Sequence, residues 1–100
     1  MEKRSEQEVR GIVRDLILEL APNPAAAEEF SDPHLLDQLE FNSLALLEVA
    51  FTLEDEFELE PIDRETAERI HTINDIAGHV VDELRKRGDL LEDYAAVDGS

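Results

Sequence analysis

The sequence predicts an all-α protein: a four-helix bundle with three long helices, one short helix and a long first loop. Three observations carry this. Apolar residues recur at intervals of three and four in three separate stretches. Capping signals stand at the start of each stretch. Gly and Pro total only 8 of 100 residues, and they fall between the periodic stretches or at their ends more than inside them.

The first helix is expected from about Ser5 to Leu20. Ser5 and Glu8 have the spacing of a capping box, in which each side chain satisfies a backbone amide left unpaired at the helix start. Val9, Ile12, Val13, Leu16, Ile17 and Leu20 then fall on one face of a 3.6-residue helix. Ala21-Pro22-Asn23-Pro24 ends it, because a residue before proline resists the helical region.

Residues 21–42 read as a long connection with three of the four prolines and apolar anchors at Phe30, Leu35, Leu36 and Leu39. A short helical turn is expected after Asp32-Pro33, with Asp32 as cap and Pro33 in the first helical position. Ordered loops of this length are uncommon and often carry function.

The second helix begins near Asn42-Ser43 and runs to about Phe57 or Glu58. Either Asn42 or Ser43 can be its N-cap. Leu46, Val49, Ala50, Leu53 and Phe57 share a face that should enter the core. Leu44 and Phe51 lie nearly opposite, among Glu48, Asp55 and Glu58, and Leu47 sits between the two stripes. A Leu and a Phe on an acidic face serve solubility poorly and contact well. The other reading of Leu44 and Phe51 is as core residues covered by the long loop.

Pro61 breaks the chain, and Asp63 caps a short helix through about Arg69. Thr72 and Asp75 form a second capping box. The last helix then runs from about Ile73 to Arg87, with Ile73, Ile76, Ala77, Val80, Val81 and Leu84 on its core face. Arg85, Lys86 and Arg87 suit the negative end of the helix dipole, and Gly88 suits the stop. Residues 1–88 therefore form the domain. Residues 89–100 have no sustained period and are expected to be a flexible tail.

Charge narrows the function. The chain carries 26 acidic and 9 basic side chains, a formal net charge of −17. Such a chain repels phosphate backbones and anionic lipid. Residues 28–63 hold 12 acids and no Lys or Arg, so the charge is concentrated in the long loop and second helix. Without cysteine there is no thiol nucleophile, disulfide or Cys-based zinc site. His34, His71 and His79 are isolated in sequence without metal-ligand spacing, and no catalytic constellation is visible, so no metal and no catalytic residue are expected. No apolar run reaches membrane-spanning length. Met1-Glu2-Lys3-Arg4 leads into a charged helix instead of the apolar core of a signal peptide. The expectation is a monomeric cytoplasmic protein that is not an enzyme.

Two segments then stand out: Leu39-Glu40-Phe41-Asn42-Ser43-Leu44, and Leu53-Glu54-Asp55-Glu56-Phe57-Glu58-Leu59. Together they resemble the acyl carrier protein family, whose pattern is an Asp-Ser-Leu triplet opening an acidic helix that closes on Leu-Glu-x-x-Phe. A Pro-containing loop, a short helix and a Thr-capped last helix follow in the family, where Pro61-Ile62-Asp63 and Ile70-His71-Thr72-Ile73 stand here. The resemblance covers about residues 5–87. The triplet alone is a weak signal, and its place in an acidic four-helix frame is the specific one.

The resemblance implies the acyl-carrier bundle. It also implies that Ser43 is the attachment site for a covalent 4′-phosphopantetheine arm from coenzyme A. A phosphopantetheinyl transferase would bring coenzyme A and Mg²⁺, and the Ser43 hydroxyl would attack the pantetheine-bearing phosphate to form a phosphodiester. The arm would hold acyl groups as thioesters. Leu44, Leu47, Glu48, Phe51 and Asp55 would meet basic docking patches on acyltransferase, ligase or ketosynthase-type enzymes of fatty-acid, polyketide or related secondary metabolism. Asn42 flanks the site as a helix cap where the family has Asp. Asn caps a helix as well as Asp does, but a charge is lost beside the attachment site, which bears on transferase recognition and Mg²⁺ placement. Glu40 stands where the family often has Gly, which puts the local backbone in question. Two alternatives stay open. One is an aminoacyl or peptidyl carrier of a nonribosomal-type pathway, which shares fold and arm. The other is an acidic interaction module that never receives the arm.

Overall fold

Local capping chemistry sets the helix starts. The computed structural model describes residues 3–91. Helix α1 (Glu6–Leu20) opens on the expected capping box, with the Ser5 hydroxyl accepting from the Glu8 amide and the Glu8 carboxylate accepting from the Ser5 amide. Helix α5 (Ile73–Arg87) repeats the device with Thr72 and Asp75. Helix α3 (Ser43–Phe57) starts at Asn42, whose side-chain oxygen accepts from the Ala45 amide at 2.8 Å. Short helix α4 (Arg64–Glu68) is capped by Asp63 through the Thr66 amide. Gly88 ends α5 in the left-handed region at φ 76°, where a residue without Cβ fits at no steric cost.

Helix α1 is central and packs against both α5 and α3. Val9, Val13 and Ile17 of α1 are fully buried. They meet a core that includes Val49, Leu53 and Phe57 of α3 and all six expected positions of α5. Ile12, Leu16, Leu20 and Leu46 pack around its edge. The protein is thus mostly helical, as expected, with three helices of 15 residues.

The long connection departs from expectation. It contains a second short helix, α2 (Ala26–Glu29), which has no capping side chain to announce it. The expected turn after Pro33 exists as a turn closed by the His34 carbonyl, which accepts from the amides of Gln38 and Leu39. Asp32 does not cap that turn. Its carboxylate accepts from the Asn74 amide in the first turn of α5, 3.0 Å away. Leu35 and Leu39 are buried anchors, whereas Phe30 and Leu36 are exposed.

Residues 90 and 91 of the expected tail belong to a strand pair. Strand β1 (Arg4–Ser5) pairs in parallel with β2 (Leu90–Leu91), and Leu90 is buried. Residues 92–100 of that tail lie outside the described residues. Arg4 fastens this end further. Its guanidinium binds the Glu56 carboxylate at 2.9 Å and lies over the Phe57 ring. Arg87, placed by its sequence to favour its own helix end, instead donates to the Phe57 and Glu58 carbonyls at the end of α3. Those carbonyls have no partner within their own helix.

Two carboxylates, Asp63 exposed and Glu6 half-buried, are tuned by their contacts. Donation from Thr66, with smaller help from Arg69 and His79, holds Asp63 below the usual Asp value, and the Arg10 hydrogen bond does the same for Glu6. A depressed carboxylate stabilises the fold above its unfolded pKa, and that contribution is lost as the pH falls through its folded value. Acid also relieves the self-repulsion of the −17 chain, so the sign is read from a difference. Thermal melts should show the gap in stability between wild type and Asp63→Asn largest at neutral pH. The gap should close below the ordinary Asp value of 3.8.

Candidate functional site

The site is built on the first turn of α3. Asn42 is extended (φ −108°, ψ 176°) and contributes both of its acceptors to the helix start. Its side chain takes the Ala45 amide and its carbonyl takes the Leu46 amide. The capping role therefore belongs to Asn42 and leaves Ser43 at the first helical position. Ser43 is exposed, and its hydroxyl has no hydrogen-bond partner among the described residues. The amides of Ser43 and Leu44 are likewise unpaired there. They offer an anion two donors at the positive end of the helix dipole, an effect of roughly 0.3–1 kcal/mol.

The backbone arrives at this point under constraint. Glu40 has φ 60°, in the left-handed region that glycine takes without strain. The conformation a glycine would favour is therefore kept with a glutamate. It is held from both sides by buried Leu39 and Phe41. The Leu39 carbonyl accepts from the Asn23 amide, and the Phe41 amide donates to the Leu35 carbonyl at 2.9 Å.

Along α3, Leu44, Leu47, Glu48, Phe51 and Asp55 are all exposed. Their spacing of i, i+3, i+4, i+7 and i+11 places them on one face. Leu44 is 70% exposed, Phe51 60% and Leu47 52%, which rules out the reading that the long loop covers them. The result is an apolar line flanked by carboxylates and running away from Ser43. A contiguous exposed apolar line of this kind is a candidate contact surface.

His34 and His71 are far apart in sequence but stack, with ring centroids 5.7 Å apart and planes 20° from parallel. No local pattern could have shown this pairing. His79 is half-buried on α5. Among the described residues no cluster of three or more His, Asp or Glu side chains is arranged to hold a metal ion, and no helix is long and apolar enough to cross a membrane. A groove of about 300 Å³ lies at the far end of α3, lined by Lys3, Arg4, Glu56, Phe57, Glu58, Leu84, Arg87 and Asp89, away from Ser43. Compared with known proteins, the chain matches no family model and no curated protein.

Proposed function

We propose that the chain is a carrier protein of the acyl-carrier type, modified on Ser43 with a 4′-phosphopantetheine arm and passed between biosynthetic enzymes. The observation that carries this reading is the division of labour at the start of α3. Asn42 makes the cap, so the Ser43 hydroxyl is exposed and uncommitted. The residues fit the group: an open hydroxyl to take the phosphate ester, and two unpaired amides to face its charge. Bound there, the arm supplies a thiol that carries acyl groups as thioesters. The chain's own part is to present that position and to dock. Leu44, Leu47 and Phe51 supply apolar contact, while Glu48 and Asp55 supply charge for partners with basic patches. The acyl-carrier bundle and a cytoplasmic place of work belong to the same proposal.

The test is intact mass after incubation with coenzyme A, Mg²⁺ and a broad-specificity transferase. Gain of a single phosphopantetheine supports the reading, and no gain with several transferases sinks it. Failure would favour the acidic interaction module, to which the missing Asp beside Ser43 points. Loading of the modified protein by a purified acyltransferase or by an adenylating ligase separates the acyl from the aminoacyl reading.

A charge experiment tests the docking face on its own. Glu48→Lys or Asp55→Lys should lower kcat/KM for arm addition on the order of 10-fold at low ionic strength, and the effect should fade as salt shortens the screening length. A salt-independent rate equal to wild type would make the acidic face only a solvated surface.

A further inference from the structure

A continuous set of contacts joins the start of α5 to the cap of α3. The Asp32 carboxylate accepts from the Asn74 amide at 3.0 Å. The Leu35 amide donates to the His71 carbonyl at 2.8 Å, and His34 bridges to Thr72. The His34 ring stacks on the His71 ring. The Leu35 carbonyl then accepts from the Phe41 amide, and Phe41 directly precedes Asn42, the residue that caps α3. Between them Glu40 holds its strained left-handed backbone. Strain of this kind persists only where the surroundings over-determine it. Here the surroundings are the strap's own contacts and its buried anchors Pro33, Leu35, Leu39 and Phe41.

We infer that residues 32–41 form a strap latched over the junction of α4 and α5, and that release of this latch displaces the first turn of α3 without opening the bundle. Asp32, His34 and His71 are its positioning residues. The contacts of the Asp32 carboxylate and of the His34 and His71 rings lie at the surface, so they belong to the part of the molecule that opens at low cost, while the α1–α5 core opens only with the whole fold. Relief of the Glu40 backbone favours the released state, and the stacked rings and the Asp32 cap favour the latched one. For the attachment of an arm, the consequence rests on the reading of Ser43 given above. A transferase meets a preorganised serine when the strap is latched, and must order the turn itself when it is not.

Residue-resolved amide exchange on the full chain without the arm tests the latch directly. In His71→Ala and in Asp32→Ala, the amides of Leu35, Phe41, Asn74 and Ala45 should exchange together about 10-fold faster, the loss of one such contact. Those of Val13 and Val80 should not change. His71→Phe restores a ring to stack and Asp32→Asn restores an acceptor, and both should return exchange toward wild type. If Ala45 is unaffected while Leu35 speeds up, the strap is not coupled to the turn that carries Ser43 and the inference falls. It falls equally if Val13 and Val80 rise in step, because the variants then only weaken the bundle. The rate of arm addition should drop in the two alanine variants and recover in the two conservative ones. An unchanged rate alongside faster exchange overturns the link to Ser43. If the exchange pattern holds and wild type takes no arm, the latch stands and the carrier reading fails.

Discussion

Ser43→Ala is expected to abolish arm addition completely and to leave the fold intact. The first half follows from chemistry, since alanine has no oxygen to form the phosphodiester. The second half follows from the structure. Serine at a helix start is ordinarily the cap, and its loss then costs about 0.5–2 kcal/mol. Here Asn42 provides the cap, and alanine is the better helix former at the position Ser43 holds, by a few tenths of a kcal/mol. Urea denaturation should therefore show Ser43→Ala as stable as wild type or slightly more so. Asn42→Ala should behave in the reverse way. It keeps the nucleophile but leaves the Ala45 amide without its acceptor, so stability should fall by about 1 kcal/mol while some arm addition remains. Asn42→Asp separates capping from charge. The cap is retained, a negative charge is added at the positive helix end, and a faster transferase reaction is expected with stability higher by about 0.3–1 kcal/mol. If Ser43→Ala still gains the mass of the arm, attachment lies elsewhere and the assignment of the site is wrong.

The parts of this molecule that were legible in the sequence are those determined within one or two helical turns. Ser5 with Glu8 and Thr72 with Asp75 are contacts over three residues, so the starts of α1 and α5 follow from local spacing, whereas at α3 Asn42 and Ser43 were equal candidates for the cap and the structure selects Asn42. The exposed face of α3 was legible for the same reason, because helical geometry fixes which side chains oppose Val49, Leu53 and Phe57. The long connection was not. Asp32 has two helix starts it can serve, its own turn and that of α5, and the choice depends on how distant chain segments pack. Helix α2 was hidden because Ala25 offers no capping side chain. The pairing of Arg4–Ser5 with Leu90–Leu91 is too short to leave a period. Phe30 and Leu36 looked like anchors because burial was inferred from residue type, which decides the average and not the case.

Phe57→Ala should be the most damaging single truncation on α3, costing about 3–5 kcal/mol. That is a large part of the roughly 5–15 kcal/mol by which small domains are stable. Phe57 is 3% exposed and belongs to the core formed by α1, α3 and α5. Its ring also lies 5.2 Å from the Arg4 guanidinium, which ties β1 to the end of α3. The truncated site borders the groove that Leu84 and Arg87 help to line. Water can enter from there, which favours the lower end of the range. Phe51 is the control. It stands six residues earlier on the same helix but on the other face, 60% exposed, and Phe51→Ala should change stability by no more than about 0.5 kcal/mol. Its effect should appear in docking instead, as a higher KM for the transferase with the unfolding midpoint unchanged. Equal losses of stability in the two variants would place Phe51 in the core and remove the apolar line from the docking face.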